Sequence, residues 1–300
     1  MKKKTYLFAL MAMALTLGSC SDNENGIGGE TSKYITVSTS IGNMTRVATD
    51  ANGGQTFEEG DEISVYAWTG APTVAPETSE RVVNNAINKL TNGTWVSTPQ
   101  MLWKNNREKH YFIGVYPTAA ISDLSAGEYT FDANKQTESD LLVAVNPDGL
   151  SYSADAQQIV PLTFTHVMSK LAVNLTYKNQ WGGIPTVEKV VVGNAAKEAT
   201  INYLTKVVTP STTAKEDFSL PEITENTKYV SVIIPQEDVK QLTIVIGGKN
   251  FVYDNGTPFK LESGKITTVN LEVGRDEIKL GDVKITNWED GSTFSGEALN

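Results

Sequence analysis

Residues 161–175 read PLTFTHVMSKLAVNL. Two short apolar runs, Val160 to Phe164 and Leu171 to Tyr177, flank His166. Each has strand length, and neither has the 3.6-residue spacing of an amphipathic helix. The same grammar extends both ways. Upstream, Ile35, Val37, Thr39 and Ile41 share one face of an alternating strand, Ile63 to Trp68 follows a Glu59-Gly60-Asp61 turn, and Tyr111 to Tyr116 and Leu141 to Val145 are short apolar runs. Downstream, strands are expected at 186–193, 199–208, 228–234, 241–246, 250–254, 265–273 and 277–286. Asn92-Gly93, Asp148-Gly149, Asn255-Gly256 and Asp290-Gly291 are turn dipeptides. Near the end the apolar phase changes: Ile278 and Leu280 share one parity, Val283 and Ile285 the other. Gly281 lies between them, which predicts a bulge or a strand passing between sheets. Many short strands with Gly, Pro and Asn turns predict an all-β chain of β-sandwiches, and no fixed-period repeat suggests a solenoid or propeller. The break at 166–170 predicts two domains, 34–167 and 168–300.

The chain opens with Met1-Lys2-Lys3-Lys4, an apolar run from Tyr6 to Leu17, and then Gly18-Ser19-Cys20. A basic start, a short apolar stretch and small residues before a cysteine form a lipoprotein signal peptide over 1–19. The run is too short to span a bilayer, which takes about 20 apolar residues. Cys20 is the sole cysteine and stands where acylation requires a thiol, so no disulfide or thiolate metal site remains. Residues 20–33 are polar and glycine-rich, as a flexible tether would be. The acids Asp22 and Glu24 resemble an outer-membrane export signal and equally suit a plain solvated tether.

Lys and Arg number 25 against 35 Asp and Glu, and the signal peptide removes three lysines and no acids, taking the net charge from −10 to −13. That balance disfavours nucleic acid and suits an exposed surface protein that meets the membrane through its lipid alone.

No site of known chemistry emerges. The two histidines, His110 and His166, lack metal-ligand spacing. His110 reads as a strand-end residue, and His166 as a junction residue whose ring nitrogens find backbone partners. Nucleophile-elbow and phosphate-loop motifs are missing, and no cofactor is implied. A glycosidase needs only two carboxylates about 5–10 Å apart, which an acidic chain always leaves open. Asp61-Glu62 and Glu289-Asp290 read as solvated turn pairs, because strand neighbours point to opposite faces. Trp68, Trp95, Trp103, Trp181 and Trp288 are scattered singly, as core or rim residues are. Asn43 to Thr49 places one arginine, Arg46, in a small-polar stretch before the loop 50–54; by itself it reads as a surface residue open to trypsin-like proteases.

Taken together, these elements resemble the fimbrillin-like family, the lipoprotein-precursor pilins of Gram-negative anaerobes, also called type V pilins. The resemblance rests on the lipobox, a short strand ending in Met44-Thr45-Arg46, FEEGDEISVYAW (57–68), DLLVA (140–144), PLTFTHVMSKLAVNL (161–175) and LESGKITTVNLEVGRDEIKLGDVKITNWEDG (261–291). It implies two consecutive transthyretin-like β-sandwich domains and a non-enzymatic fimbrial subunit, first a lipoprotein precursor at the outer membrane and then part of a fimbrium. A trypsin-like protease would cut between Arg46 and Val47, removing the lipidated segment and the first strand with Ile35, Val37 and Ile41. A strand from another pilin subunit would fill the gap. In the family's stalk subunits that donor comes from the C-terminus. Residues 290–300 are mostly polar here, which favours a tip or accessory role, with an uncleaved anchor as a further reading. A host protein or glycan is the implied receptor. The alternatives are a carbohydrate-binding surface lipoprotein, which needs exposed coplanar tryptophans, and a glycoside hydrolase, which needs two carboxylates facing one cleft.

Overall fold

A computed structural model of the protein describes residues 33–42, 57–154 and 156–288. Their regular secondary structure is nearly all strand, with single 3-10 turns at Thr78–Glu80 and Asn179–Trp181. The first strands are β1 (Thr36–Ile41), β2 (Glu62–Thr69), β3 (Val83–Thr91), β4 (Thr94–Thr98), β5 (His110–Tyr116), β6 (Gly127–Thr130), β7 (Leu142–Leu150) and β8 (Ile159–His166). They continue with β9 (Ser169–Tyr177), β10 (Val187–Ala196), β11 (Glu198–Asn202), β12 (Val207–Pro210), β13 (Lys215–Leu220) and β14 (Glu222–Thr224). The last are β15 (Lys228–Ile233), β16 (Gln241–Ile246), β17 (Lys249–Asp254), β18 (Lys265–Val273) and β19 (Ile278–Asn287).

A seven-stranded sheet runs in the order β1-β8-β7-β5-β2-β3-β4. Its central strands read as unbroken apolar runs because both faces are buried. Along β2, Ile63, Val65 and Ala67 enter one hydrophobic cluster and Tyr66 and Trp68 the other. Phe112 against Ile113 and Val115 on β5, and Leu142 and Ala144 against Val143 on β7, divide in the same way. One face therefore has a core made within residues 35–164. The other face belongs to a larger core that continues through Val167 and Met168 into the later strands.

Those later strands form a five-stranded sheet, β14-β15-β9-β18-β19, and a four-stranded sheet, β13-β10-β16-β17. Leu171, Val173, Val269 and Leu271 from the first and Val190, Val192, Leu242 and Ile244 from the second fill the larger core. A three-stranded sheet, β12-β11-β6, pairs β6 from before residue 167 with β11 from after it.

Several local readings change. Residues 199–208 are not one strand: β11 and β12 are hairpin partners across Tyr203–Lys206, with Lys206 at φ 61°. Asp148-Gly149 is not an inter-strand turn but lies inside β7, where the register against β5 shifts. Strands β3, β4, β6, β13 and β14 carry few consecutive apolar residues and were not expected. Asn92-Gly93 does close the β3–β4 hairpin, both residues taking positive φ. At Gly281 the choice resolves to a bulge: Asn270 faces Asp282 and Leu271 faces Leu280, leaving Gly281 unmatched. The bulge keeps Ile278, Leu280, Val283 and Ile285 on one face of β19, opposite Val273, Leu271, Val269 and Thr267.

Gly114 on β5 permits a close approach, since a Cβ there would lie 2.6 Å from the Phe164 ring and 3.1 Å from Leu162. Gly114→Val should overpack this core and cost about 1–3 kcal/mol, read by thermal unfolding.

Candidate functional site: the seat of the first strand

β1 is the last strand of the seven-stranded sheet at one end, running parallel to β8 with Thr36 opposite Ile159 and Ile41 opposite Phe164. Its own edge is also occupied. Ile35 N–H donates to Met101 O at 2.9 Å, Trp103 N–H donates to Lys33 O at 3.2 Å, and Tyr34 bridges Leu102. The segment 101–103 follows β4, the strand at the sheet's opposite end. The sheet therefore curls until its two ends meet through β1. Trp95 on β4 donates its indole N–H to Thr39 Oγ1 at 2.9 Å, and Gly42 N–H donates to Phe164 O at 2.7 Å.

Alternation sends Ile35 and Val37 into the core, 2% and 7% exposed, where they join Val160, Leu162, Phe164 and Trp95. Ile41 packs against the same cluster but stays half-buried. Ser38 and Ser40 face outward, with Ser40 hydrogen-bonded to Thr163. Full burial of a Val or Ile side chain contributes about 1.5–3 kcal/mol, so Ile35 and Val37 together hold the strand by about 3–6 kcal/mol. Removing β1 would uncover that surface and leave unpaired backbone groups on β8 and on 101–103.

The structure brings Ile35, Val37 and Ile41 together on one strand in one groove. Cys20, Arg46 and Val47 lie outside the described residues. The opposite lip, Met101 to Trp103, was not legible beforehand: its contacts with Lys33–Ile35 span some 68 residues of sequence. The Asn92-Gly93 hairpin signal just ahead of Trp95 was the nearest available clue.

Four of the five tryptophans are buried: Trp68, Trp95, Trp103 and Trp288. Trp181 is partly buried, edge-on to Phe251. The coplanar indole platform that carbohydrate binding calls for is not formed by these side chains. Three carboxylates do share a cleft. Asp61, Asp140 and Glu58, with Tyr116 and Lys170, line a cavity of about 540 Å³. Asp61 and Asp140 are engaged by the fold: Asp61 accepts from Glu58 N–H at 2.7 Å and from the Tyr116 hydroxyl at 3.3 Å. Burial, reinforced by Asp61, pushes the Tyr116 phenol up to about 12. Asp140 Oδ1 lies 2.8 Å from His166 Nδ1. This corrects the expectation of backbone partners for His166, whose ring is also stacked on Trp288 at 4.0 Å. Among the described residues no three His, Asp or Glu side chains are grouped to hold a metal ion, and no helix is long and apolar enough to cross a membrane.

His110 opens β5 fully buried, edge-on to Trp103, its Nε2 accepting Lys104 N–H at 3.0 Å. Burial holds its pKa below the ordinary value of 6.5. The folded state thus binds this proton less well than the unfolded state. Its contribution to stability is intact above pH 6.5 and declines as pH falls toward the lowered folded value. His110→Gln should flatten that limb of a urea-denaturation series run across pH.

The fold so described is that of an all-β protein with a closing strand near its N-terminus. The fimbrillin-like family model matches residues 45–288, and the chain belongs to that family. Solved structures share the fold. A proposed cell adhesion protein from Bacteroides uniformis superposes with a TM-score of 0.64 at 18% identity, covering 86% of this chain and 100% of that one. A second, from Bacteroides ovatus, gives 0.62 at 17% identity, covering 85% and 98%. A fimbrial protein from Bacteroides vulgatus gives 0.53 at 13%, covering 85% and 99%. No curated protein matches the chain.

Proposed function

We propose that this protein is a structural, non-enzymatic fimbrial subunit that accepts a β-strand from another pilin subunit. It reaches the outer membrane as a lipoprotein acylated on Cys20. A trypsin-like protease cuts between Arg46 and Val47, and β1 leaves with the lipidated segment. The observation that carries this reading is the seat of β1. It is one short strand, held between the two ends of a sheet by two buried aliphatic side chains, a backbone ladder to β8 and a bridge from Lys33–Ile35 to Met101–Trp103. A groove of that kind, once vacated, is a template for strand addition. The contact is head-to-tail and builds a filament rather than a closed dimer. The family match begins at residue 45, downstream of β1.

Domains at 34–167 and 168–300 remain the organisation we favour, joined through the shared core. A tip or accessory position, where a subunit accepts a strand without donating one, is the position we favour. A host protein or glycan is the receptor class for such a position, and the membrane is met only through the lipid. The carbohydrate-lipoprotein and glycosidase readings draw less support, since four of the five tryptophans are buried and the cleft carboxylates Asp61 and Asp140 are hydrogen-bonded to their neighbours.

Limited trypsin digestion of the folded chain from Ser21, followed by mass spectrometry and sizing, tests this. The expected result is an early cut after Arg46 with the body from Val47 onward intact. Resistance at Arg46 while other sites are cut would contradict it.

A further inference from the structure

Arg81 follows the 3-10 turn Thr78–Glu80 and is only 9% exposed. Its Nη1 donates to Ile121 O at 2.6 Å and to Asn84 Oδ1 at 2.9 Å, and its Nη2 donates to Ser122 O at 2.5 Å. Its Cζ lies 5.4 Å from the centroid of the Tyr66 ring. All of these partners are neutral. Among the described residues no carboxylate pairs with Arg81, and Asp123 and Glu77 act on it only from further off. Its Nε is buried with no hydrogen-bond partner. Burial accordingly holds its pKa below the ordinary arginine value. A desolvated charge is costly until an opposite charge meets it.

Arg81 also lines a cavity of about 740 Å³, which shares no lining residue with the cleft of Asp61 and Asp140. That volume is in the range of about 300–1,000 Å³ that small-molecule sites occupy. Trp68, Val74, Leu102 and Trp103 give the cavity apolar walls, and Lys104 adds a second cation. Val74 and Leu102 are 61% and 46% exposed, so large apolar side chains stand open to solvent beside the buried charge. Glu80 lines the cavity too, but its carboxylate is turned to the backbone, accepting Glu77 N–H at 3.2 Å. Thr69 is engaged as well, its Oγ1 accepting from Lys104 Nζ at 3.2 Å. The lining is therefore apolar with a cationic side, and it lacks the spread of free hydrogen-bonding groups that a sugar would use.

We propose that this cavity binds a single carboxylate carried on an apolar body, with Arg81 as the anchor and Lys104 beside it. The carboxylate accepts from Arg81 Nε and supplies the missing opposite charge, a pairing roughly twice as strong as a neutral hydrogen bond. The apolar body covers Val74 and Leu102 and lies against the indoles. A free aliphatic acid and the C-terminal end of a peptide share this chemistry. The site goes beyond strand acceptance and does not depend on the cut at Arg46. Because Trp103 N–H also donates to Lys33 O, the test uses the uncut chain from Ser21, with β1 in its seat.

The probe is hexanoate, titrated while the indole N–H signals of the five tryptophans are followed by NMR. Trp68 and Trp103 should shift saturably, and Trp95, Trp181 and Trp288 should stay still. Hexanamide, with the same body and no charge, should bind at least about tenfold more weakly. Arg81→Met should abolish binding. Val74 is exposed enough to change without disturbing the fold, so Val74→Glu should weaken hexanoate binding and Val74→Lys should preserve it. N-acetylnorleucine carries the hexanoate body as a chain end would, so tighter binding of it than of hexanoate assigns a peptide terminus, and the reverse assigns a free acid. No saturable shift at Trp68 and Trp103, equal binding of hexanamide, retained binding in Arg81→Met, or indifference to the sign of the charge at position 74 would overturn the proposal.

Discussion

Val37→Asp will release β1 from its seat while the larger core stays folded. Val37 is 7% exposed, and its loss forfeits about 1.5–3 kcal/mol of burial. The aspartate adds the cost of desolvating a carboxylate that has no partner in this cluster, several kcal/mol if it stayed in place. The sum rivals all that Ile35 and Val37 together contribute, so the cheaper response is for the strand to leave. The larger core contains no β1 residue and should survive. Hydrogen exchange should accelerate along β8, whose backbone β1 covers, and should hold in β9 and β18. Ser38→Asp, on the outward face, is the control and should stay within about 0.5 kcal/mol of the parent.

The second large effect is expected at Phe164→Ala. Phe164 is fully buried, lies in register with Ile41, packs over Gly114 and meets Phe57 edge-on at 5.1 Å. Truncation should cost about 3–5 kcal/mol, read as a lowered urea midpoint with an unchanged slope. It should also weaken the β1 seat, because the ring forms part of the groove floor. Since Gly114 is bare to admit this ring, Gly114→Val should destabilise the parent and be less harmful beside Phe164→Ala. The pair should therefore be non-additive in a double-mutant cycle.

Much of the architecture was legible because it depends on local pattern. Ile35, Val37 and Ile41 alternate, and they proved to line one groove. Gly281 between two apolar parities signalled the bulge that keeps β19 in phase. Other features depend on contacts remote in sequence, where periodicity carries no information. The runs at Ile63–Trp68 and Leu141–Val145 showed strands but not that alternate residues serve two cores. Strands such as β4 and β13 are short and polar-rich because much of each faces solvent, so they leave a weak apolar signal. The single strand 199–208 divided because Leu204, Thr205 and Lys206 turn the chain without a glycine or proline to announce it. At the candidate site the inserted strand was visible, but its second lip at Met101–Trp103 was not. His166 similarly found a carboxylate from the segment ahead of β7, a partner that no local rule proposes.

The account stands most directly on whether the β1 seat exchanges its strand. The measurement is titration of a synthetic peptide of residues 33–42 into protein cut after Arg46 and freed of its N-terminal fragment, followed by native mass spectrometry. The account predicts a one-to-one complex with the cut protein, none with the uncut chain, and loss of binding for the peptide carrying Val37→Asp. A cut protein that has shed β1 yet takes up no peptide, or an uncut chain that binds equally well, would contradict it.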